Sequence, residues 1–200
     1  MSRSRSREMD LTTGSPFWSL LKFAIPVILG NLFQLFYTLA DSVIVGKTLG
    51  AESLAAVGST SIIIYFVFCF INGFTGGFGI CLGQRCGAKD EQGMRKSIAV
   101  STLLSIAFTI VLTLICCLLS RQILVWMQIP ADIAEEANDY MFVVLLGTGA
   151  TVFYNMISNM LRALGDSKTP LYFLVFSSVL NIVLDIVFIV PMHMGVAGAA

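Results

Sequence analysis

Apolar residues fall in long runs with few charges, separated by short polar segments. A helix needs about 20 apolar residues to cross a hydrocarbon core some 30 Å thick, so each run can be read as a membrane span. Five complete spans are predicted, over residues 17–45, 54–82, 98–119, 133–161 and 170–190. A sixth begins at Gly195, after His193, and the sequence carries it only as far as Ala200. The expected fold is therefore an all-α polytopic membrane bundle, with residues 1–16 a tail and residues 17–200 the helical lobe.

The tail bears Arg3, Arg5 and Arg7 ahead of the first run, as a signal peptide would. That run is about twice the length of a signal peptide's apolar region, carries Asp41 late in it and shows no cleavage pattern, so it is kept as a span. Orientation follows from where Lys and Arg fall. With a cytoplasmic N-terminus, the inner segments hold Arg3, Arg5, Arg7, Lys22, Arg85, Lys89, Arg95, Lys96, Arg162 and Lys168. Only Lys47 and Arg121 lie outside, where Asp132, Glu135, Glu136 and Asp139 also gather. The N-terminus is expected on the cytoplasmic side of the plasma membrane.

Composition supports this reading, since 56% of residues are hydrophobic and 12% charged, against roughly 25% charged in a soluble domain. The formal net charge is zero, without the concentrated basic face that a nucleic-acid partner requires. Cys69, Cys81, Cys86, Cys116 and Cys117 form no CxxC pair and fall mostly in apolar runs, so they read as packing residues. His193 reads as interfacial. No metal site or cofactor is expected from them.

Asp41, Asn181 and Asp185 stand inside spans where packing alone would not put them. An ionisable group there costs about 2.5–3.5 kcal/mol on insertion scales and marks a functional site by default. Spans one and five start on the same side, and a rise of about 1.5 Å per residue brings both aspartates to a similar depth in the outer half. Asn181 and Asp185 are four apart and share a helix face, while Asn31, Gln34, Thr38 and Asp41 form a stripe on span one. Tyr140, early in a span running the other way, falls at the same level. These groups could enclose one polar pocket, although spacing does not establish that the spans are adjacent.

Pro26 removes a backbone hydrogen bond within span one and is expected to kink it. Gly73, Gly76, Gly77, Gly79 and Gly83 are expected to let helices approach closely, with a flexible stretch as the alternative. The segment from Arg162 to Pro170 combines a glycine turn with a proline at the first turn of span five, a helix-start signal.

Together, Pro26 and Asp41, the LGAESLAAVG segment, the glycine-rich end of span two running into GQRCGAKD, RALGDSKTP, Asn181 with Asp185, and GVAGAA resemble the multidrug and toxic compound extrusion family. They occur in the right order over nearly the whole chain. The resemblance implies twelve helices in two six-helix lobes around a cavity that opens alternately to either side. This chain would be most of the first lobe, with the C-terminal lobe of the same protein as its missing partner.

In that family the positions matching Asp41, Asn181 and Asp185 form a site for a proton or Na⁺, with Tyr140 and Asn155 in the polar network. Gln34 is expected to line the substrate cavity, and a further ligand in span six would fall beyond Ala200. The implied mechanism is antiport: a cation entering down its gradient binds the carboxylates and an amphipathic, often cationic small molecule is released. Neighbouring carboxylates in a low dielectric resist double ionisation, so one holds a proton or both share a cation.

Two other readings compete. A lipid-linked oligosaccharide flippase of the same superfamily would show a more basic cavity, whereas the intramembrane charges noted here are acidic. An intramembrane prenyltransferase would hold Mg²⁺ and diphosphate on Asp-rich clusters, and Asn181-x-x-x-Asp185 resembles half of such a motif. No second Asp cluster follows it on the same membrane face, and phosphate-binding Arg or Lys are missing from the outer half, so an enzyme is disfavoured.

Overall fold

A computed structural model describes residues 16–200; the basic tail expected to be cytoplasmic, with its three arginines, lies outside the described residues. Six α-helices follow one another: α1 (Pro16–Thr48), α2 (Ala51–Gly87), α3 (Glu91–Trp126), α4 (Ala131–Leu146), α5 (Thr148–Ala163) and α6 (Lys168–Ile189). Four of them, α1, α2, α3 and α6, are long and apolar enough to cross a membrane, and α4 with α5 makes a fifth span bent by 42°. The polar connections are shorter than the apolar runs predict, because charged residues continue the helices. Between Gln84 and Lys96 only Ala88, Lys89 and Asp90 are non-helical. Asp90 caps α3 by accepting from the Gly93 amide at 2.9 Å, which satisfies one orphan donor of that helix.

The expected fourth span over 133–161 is not one straight helix. It breaks at Gly147, where the Thr148 hydroxyl donates to the Leu145 carbonyl and the Ala150 amide donates to the Gly147 carbonyl. A side chain that bonds back to the preceding turn competes with the regular ladder, and glycine adds little to hold it straight. Helix α1 continues through Pro26, which is buried. Where the sixth span is expected to begin, Gly195–Gly198 forms a 3-10 turn. Gly198 is wedged there, since a Cβ on it would lie 3.0 Å from that of Met194 and 3.1 Å from that of Phe188.

Packing runs opposite to that of a soluble protein. Ile62, Leu103, Leu118 and Phe176 face outward. Small hydroxyl residues such as Thr60, Thr75, Ser101, Ser105 and Thr148 are buried. With no hydrophobic drive between helices in lipid, small side chains allow close backbone approach. The Thr60, Thr75 and Thr148 hydroxyls find partners in the preceding turn, while that of Ser105 has none among the described residues. Thr75 donates to the Ile71 carbonyl at 2.8 Å and accepts from Asn159 of α5 at 3.2 Å.

Of the glycines on α2, Gly79 and Gly83 make the expected close approach, to Asn159 and Ala163 of α5. Gly73, Gly76 and Gly77 face open space.

Two subassemblies result. Helices α2 to α5 enclose an apolar core of Val67, Ile71, Cys116, Leu124, Met141, Leu145 and Val152. Helix α1 packs mainly along α6, with Gly30 against Leu171 and Leu174. A smaller cluster of Val45, Val57, Ile189, Val196 and Ala199 ties the pair to the bundle at the end that contains Gly50. At the opposite end α5 stops in a glycine turn. Gly165, at φ 88°, sits in the left-handed region and donates to the Arg162 carbonyl, while the Asp166 amide donates to that of Leu161. Asp166 then caps α6 through the amides of Lys168 and Thr169.

Candidate functional site

Asp41 and Asp185 come together where α1 lies along α6. The two carboxylates are close enough for each charge to act on its surroundings jointly, and the Tyr140 hydroxyl from α4 lies within the field of both and of Tyr37. Asp185 is 3% exposed. Its Oδ1 accepts from Asn181 Nδ2 at 3.4 Å, one helical turn away. Asp41 Oδ1, Asn181 Oδ1 and Asp185 Oδ2 are buried without a hydrogen-bond partner among the described residues. Buried oxygens are nearly always satisfied, so three unpartnered ones in one small region make a set of acceptors able to take a positive charge or a proton. Tyr140 also packs against the apolar cluster at this end, which seals the group.

A second arrangement lies below this one. A cavity of about 570 Å³ separates the α1–α6 pair from α2 and α5. Gln34 and Asn155, both expected near the site, line it, as does Asn181. The six residues singled out from sequence thus form two groups: Asp41, Asp185 and Tyr140 at the Gly50 end, and Gln34 with Asn155 along the cavity. Asn181 belongs to both. Thr38, one turn on from Gln34, is not among the lining residues, and its hydroxyl donates to the Gln34 carbonyl.

The cavity wall contains no carboxylate. It is built from amides, hydroxyls and aromatics, and its one charged side chain is Arg162. Tyr37, Asn72, Tyr154, Ser158, Ser177 and Arg162 were not anticipated as lining residues. Their signal was present in the sequence: Thr151, Asn155, Ser158 and Arg162 recur at steps of four, three and four, a polar stripe on α5. Asn155 donates to the Thr151 carbonyl at 2.9 Å along that stripe.

The sequence profile of the MatE family matches residues 26–187, a stretch that contains both groups. The chain belongs to the MatE family. Among relatives of this MatE chain, "Probable multidrug resistance protein YpnP" of Bacillus subtilis is 37% identical over 191 residues, covering 96% of the chain and 43% of that protein. "Probable multidrug resistance protein YoeA" of the same organism is 30% identical, covering 91% and 40%.

An outward-facing multidrug resistance MATE transporter of the MOP superfamily superposes with a TM-score of 0.89 at 30% identity, over 98% of this chain and 44% of that one. A MOP superfamily transporter from Pyrococcus furiosus, described as having a binding pocket of reverse polarity that suggests a different function, superposes at 0.87 with 32% identity, over 93% and 41%. The chain therefore spans less than half the length of the MATE proteins it matches, about one lobe. Both of these solved structures are described as transporters.

Proposed function

We propose that this lobe belongs to a cation-coupled antiporter that exports amphipathic small molecules across the plasma membrane by alternating access, with H⁺ or Na⁺ as the coupling ion. The observation that carries the proposal is the convergence of Asp41, Asp185 and Asn181, with three buried unpartnered oxygens beside Tyr140. Carboxylate and amide oxygens are hard ligands suited to Na⁺, and the same carboxylates can take a proton instead. Asn181 offers the physical link to transport. It touches Asp185 and also lines the cavity, so filling the cation site changes the hydrogen bonding of a wall residue. A cation drives the exchange only as far as the two states differ in affinity for it.

A second lobe of the same protein completes the cavity in this account, and the N-terminus lies in the cytoplasm, which places the Gly50 end outside. The test uses the full-length protein in proteoliposomes with a fluorescent cationic dye. Dye movement against an imposed H⁺ or Na⁺ gradient is expected. No movement under either gradient, together with flipping of a lipid-linked sugar, would overturn the antiport reading in favour of the flippase.

A further inference from the structure

We infer that Arg162 is an oxyanion-binding position in the cavity, so that the transported amphiphile carries a carboxylate or phosphate as well as its apolar body. The inference rests on the export reading above and narrows its substrate class; a basic cavity also marks the flippase, which the gradient-driven dye assay above separates from export.

Arg162 occupies the last turn of α5 and is the sole charged residue among those lining the cavity. A guanidinium does not lose its proton in a protein, so this wall is permanently cationic. Its Nε is buried with no hydrogen-bond partner, and the one ion pair among the described residues is elsewhere, between Arg85 and Asp90 at 3.1 Å. The nearby acid in sequence, Asp166, is committed to the start of α6. Its Oδ1 accepts from the amides of Lys168 and Thr169, and its Oδ2 accepts from the Thr169 hydroxyl at 2.6 Å. The carboxylates of the cation site are remote, since Asn181 stands about 20 Å along α6 from the Gly165 turn at a helical rise of roughly 1.5 Å per residue.

The surroundings suit an anion. The residues that line the cavity with Arg162 include Ser158 and Ser177 and no acid, while the Tyr154 and Ser178 hydroxyls donate to the Pro170 and Leu174 carbonyls. A guanidinium in a low-dielectric recess gains most from a planar oxyanion that it can grip through two parallel N–H bonds. An exposed arginine at a membrane interface would reach water with its whole fork. Arg162 is only partly exposed, and its enclosed Nε sets the base of the guanidinium against the cavity wall. Along the two groups, the acids lie toward the Gly50 end and the one charged residue of the cavity lining toward the Gly165 end.

The test compares two probes that differ only in the anion: a cationic xanthene dye with a free carboxylate, and its methyl ester. Binding to the purified full-length protein in nanodiscs, without any gradient, is followed by fluorescence polarisation. The wild type is expected to bind the acid more tightly than the ester. Arg162→Gln is expected to weaken the acid by roughly tenfold or more and leave the ester unchanged, the effect of losing hydrogen bonds to a charged partner. Arg162→Lys, which keeps the charge but not the fork, should fall between.

Short-chain phosphatidic acid distinguishes the source of the oxyanion. If it displaces the acid dye in the wild type but not in Arg162→Gln, a lipid phosphate also reaches the position. If the wild type binds the ester as tightly as the acid, or if Arg162→Gln shifts both dyes equally or neither, the inference fails and the export reading stands. A protein that binds neither dye contradicts both.

Discussion

The α1–α6 pair and the α2–α5 bundle are built from similar residues but spend them differently. The bundle buries large apolar side chains at its centre, Ile71, Leu82, Met141 and Leu145 among those almost fully enclosed. The pair buries Pro26, Gly30, Val45, Pro170, Ser178, Asp185 and Ile189, mostly small or polar groups, and leaves Leu35, Phe36, Phe173 and Phe176 exposed. In lipid those exposed residues lose nothing, since hydrocarbon surrounds them either way. The bundle is a scaffold held by dispersion and close packing, whereas the pair is a thinly held wall bearing buried polar groups. The paired acids are thereby carried by α1 and α6, while the bundle supplies the packing together with Tyr140 and one wall of the cavity, and this division can be broken experimentally.

The largest stability effect is expected from Ile71→Ala, at the centre of the bundle. The transfer component of a soluble core is absent in lipid, so the loss is the cavity and packing part, about 2 kcal/mol, at the low end of the range for such truncations. Thermal unfolding of the full-length protein in detergent measures it. An unchanged midpoint would show that the bundle is not the stabilising element.

A smaller loss is expected from Gly79→Val. A Cβ at Gly79 would lie 3.1 Å from the Asn159 carbonyl oxygen, a backbone atom that cannot move aside easily. Overpacking there should cost about 1 kcal/mol or somewhat more and separate α2 from α5. Gly76→Ala, which meets nothing within 4 Å, is the control and should be neutral or slightly stabilising. Equal losses from the two would mean that α2 needs its glycines for bending rather than for contact.

Much of this arrangement was legible because the lipid phase imposes simple rules. Span length and the oddity of Asp41, Asn181 and Asp185 in apolar surroundings follow from the cost of polar groups in hydrocarbon, so the helices and the acids could be picked out residue by residue. The break at Gly147 could not, since the apolar run continues through it and the bend depends on a local hydroxyl bond by Thr148. The stripe on span one carries Gln34 and Asp41 on one face, and only the pairing of α1 with α6 sets Asp41 beside Asp185 and Gln34 along the cavity, with Asn181 at the junction. Arg162 was read as part of a loop because it lies beside a glycine turn. Only the position of α5 against the cavity reveals which way its polar stripe faces.

The central claim is that Asp41 and Asp185 couple transport without supporting the fold. Its most direct measurement is gradient-driven dye efflux in proteoliposomes by Asp41→Asn and Asp185→Asn variants of the full-length protein, with thermal stability recorded on the same preparations. Asn nearly preserves the shape of Asp but cannot change its protonation state, and removing an intramembrane charge should leave stability unchanged or raise it. The account predicts coupled efflux reduced at least about tenfold in each variant, a loss of roughly 1.4 kcal/mol or more in driving interaction, at wild-type expression and melting temperature. Normal coupling in both variants at wild-type protein levels would contradict it and move the coupling group to another part of the transporter.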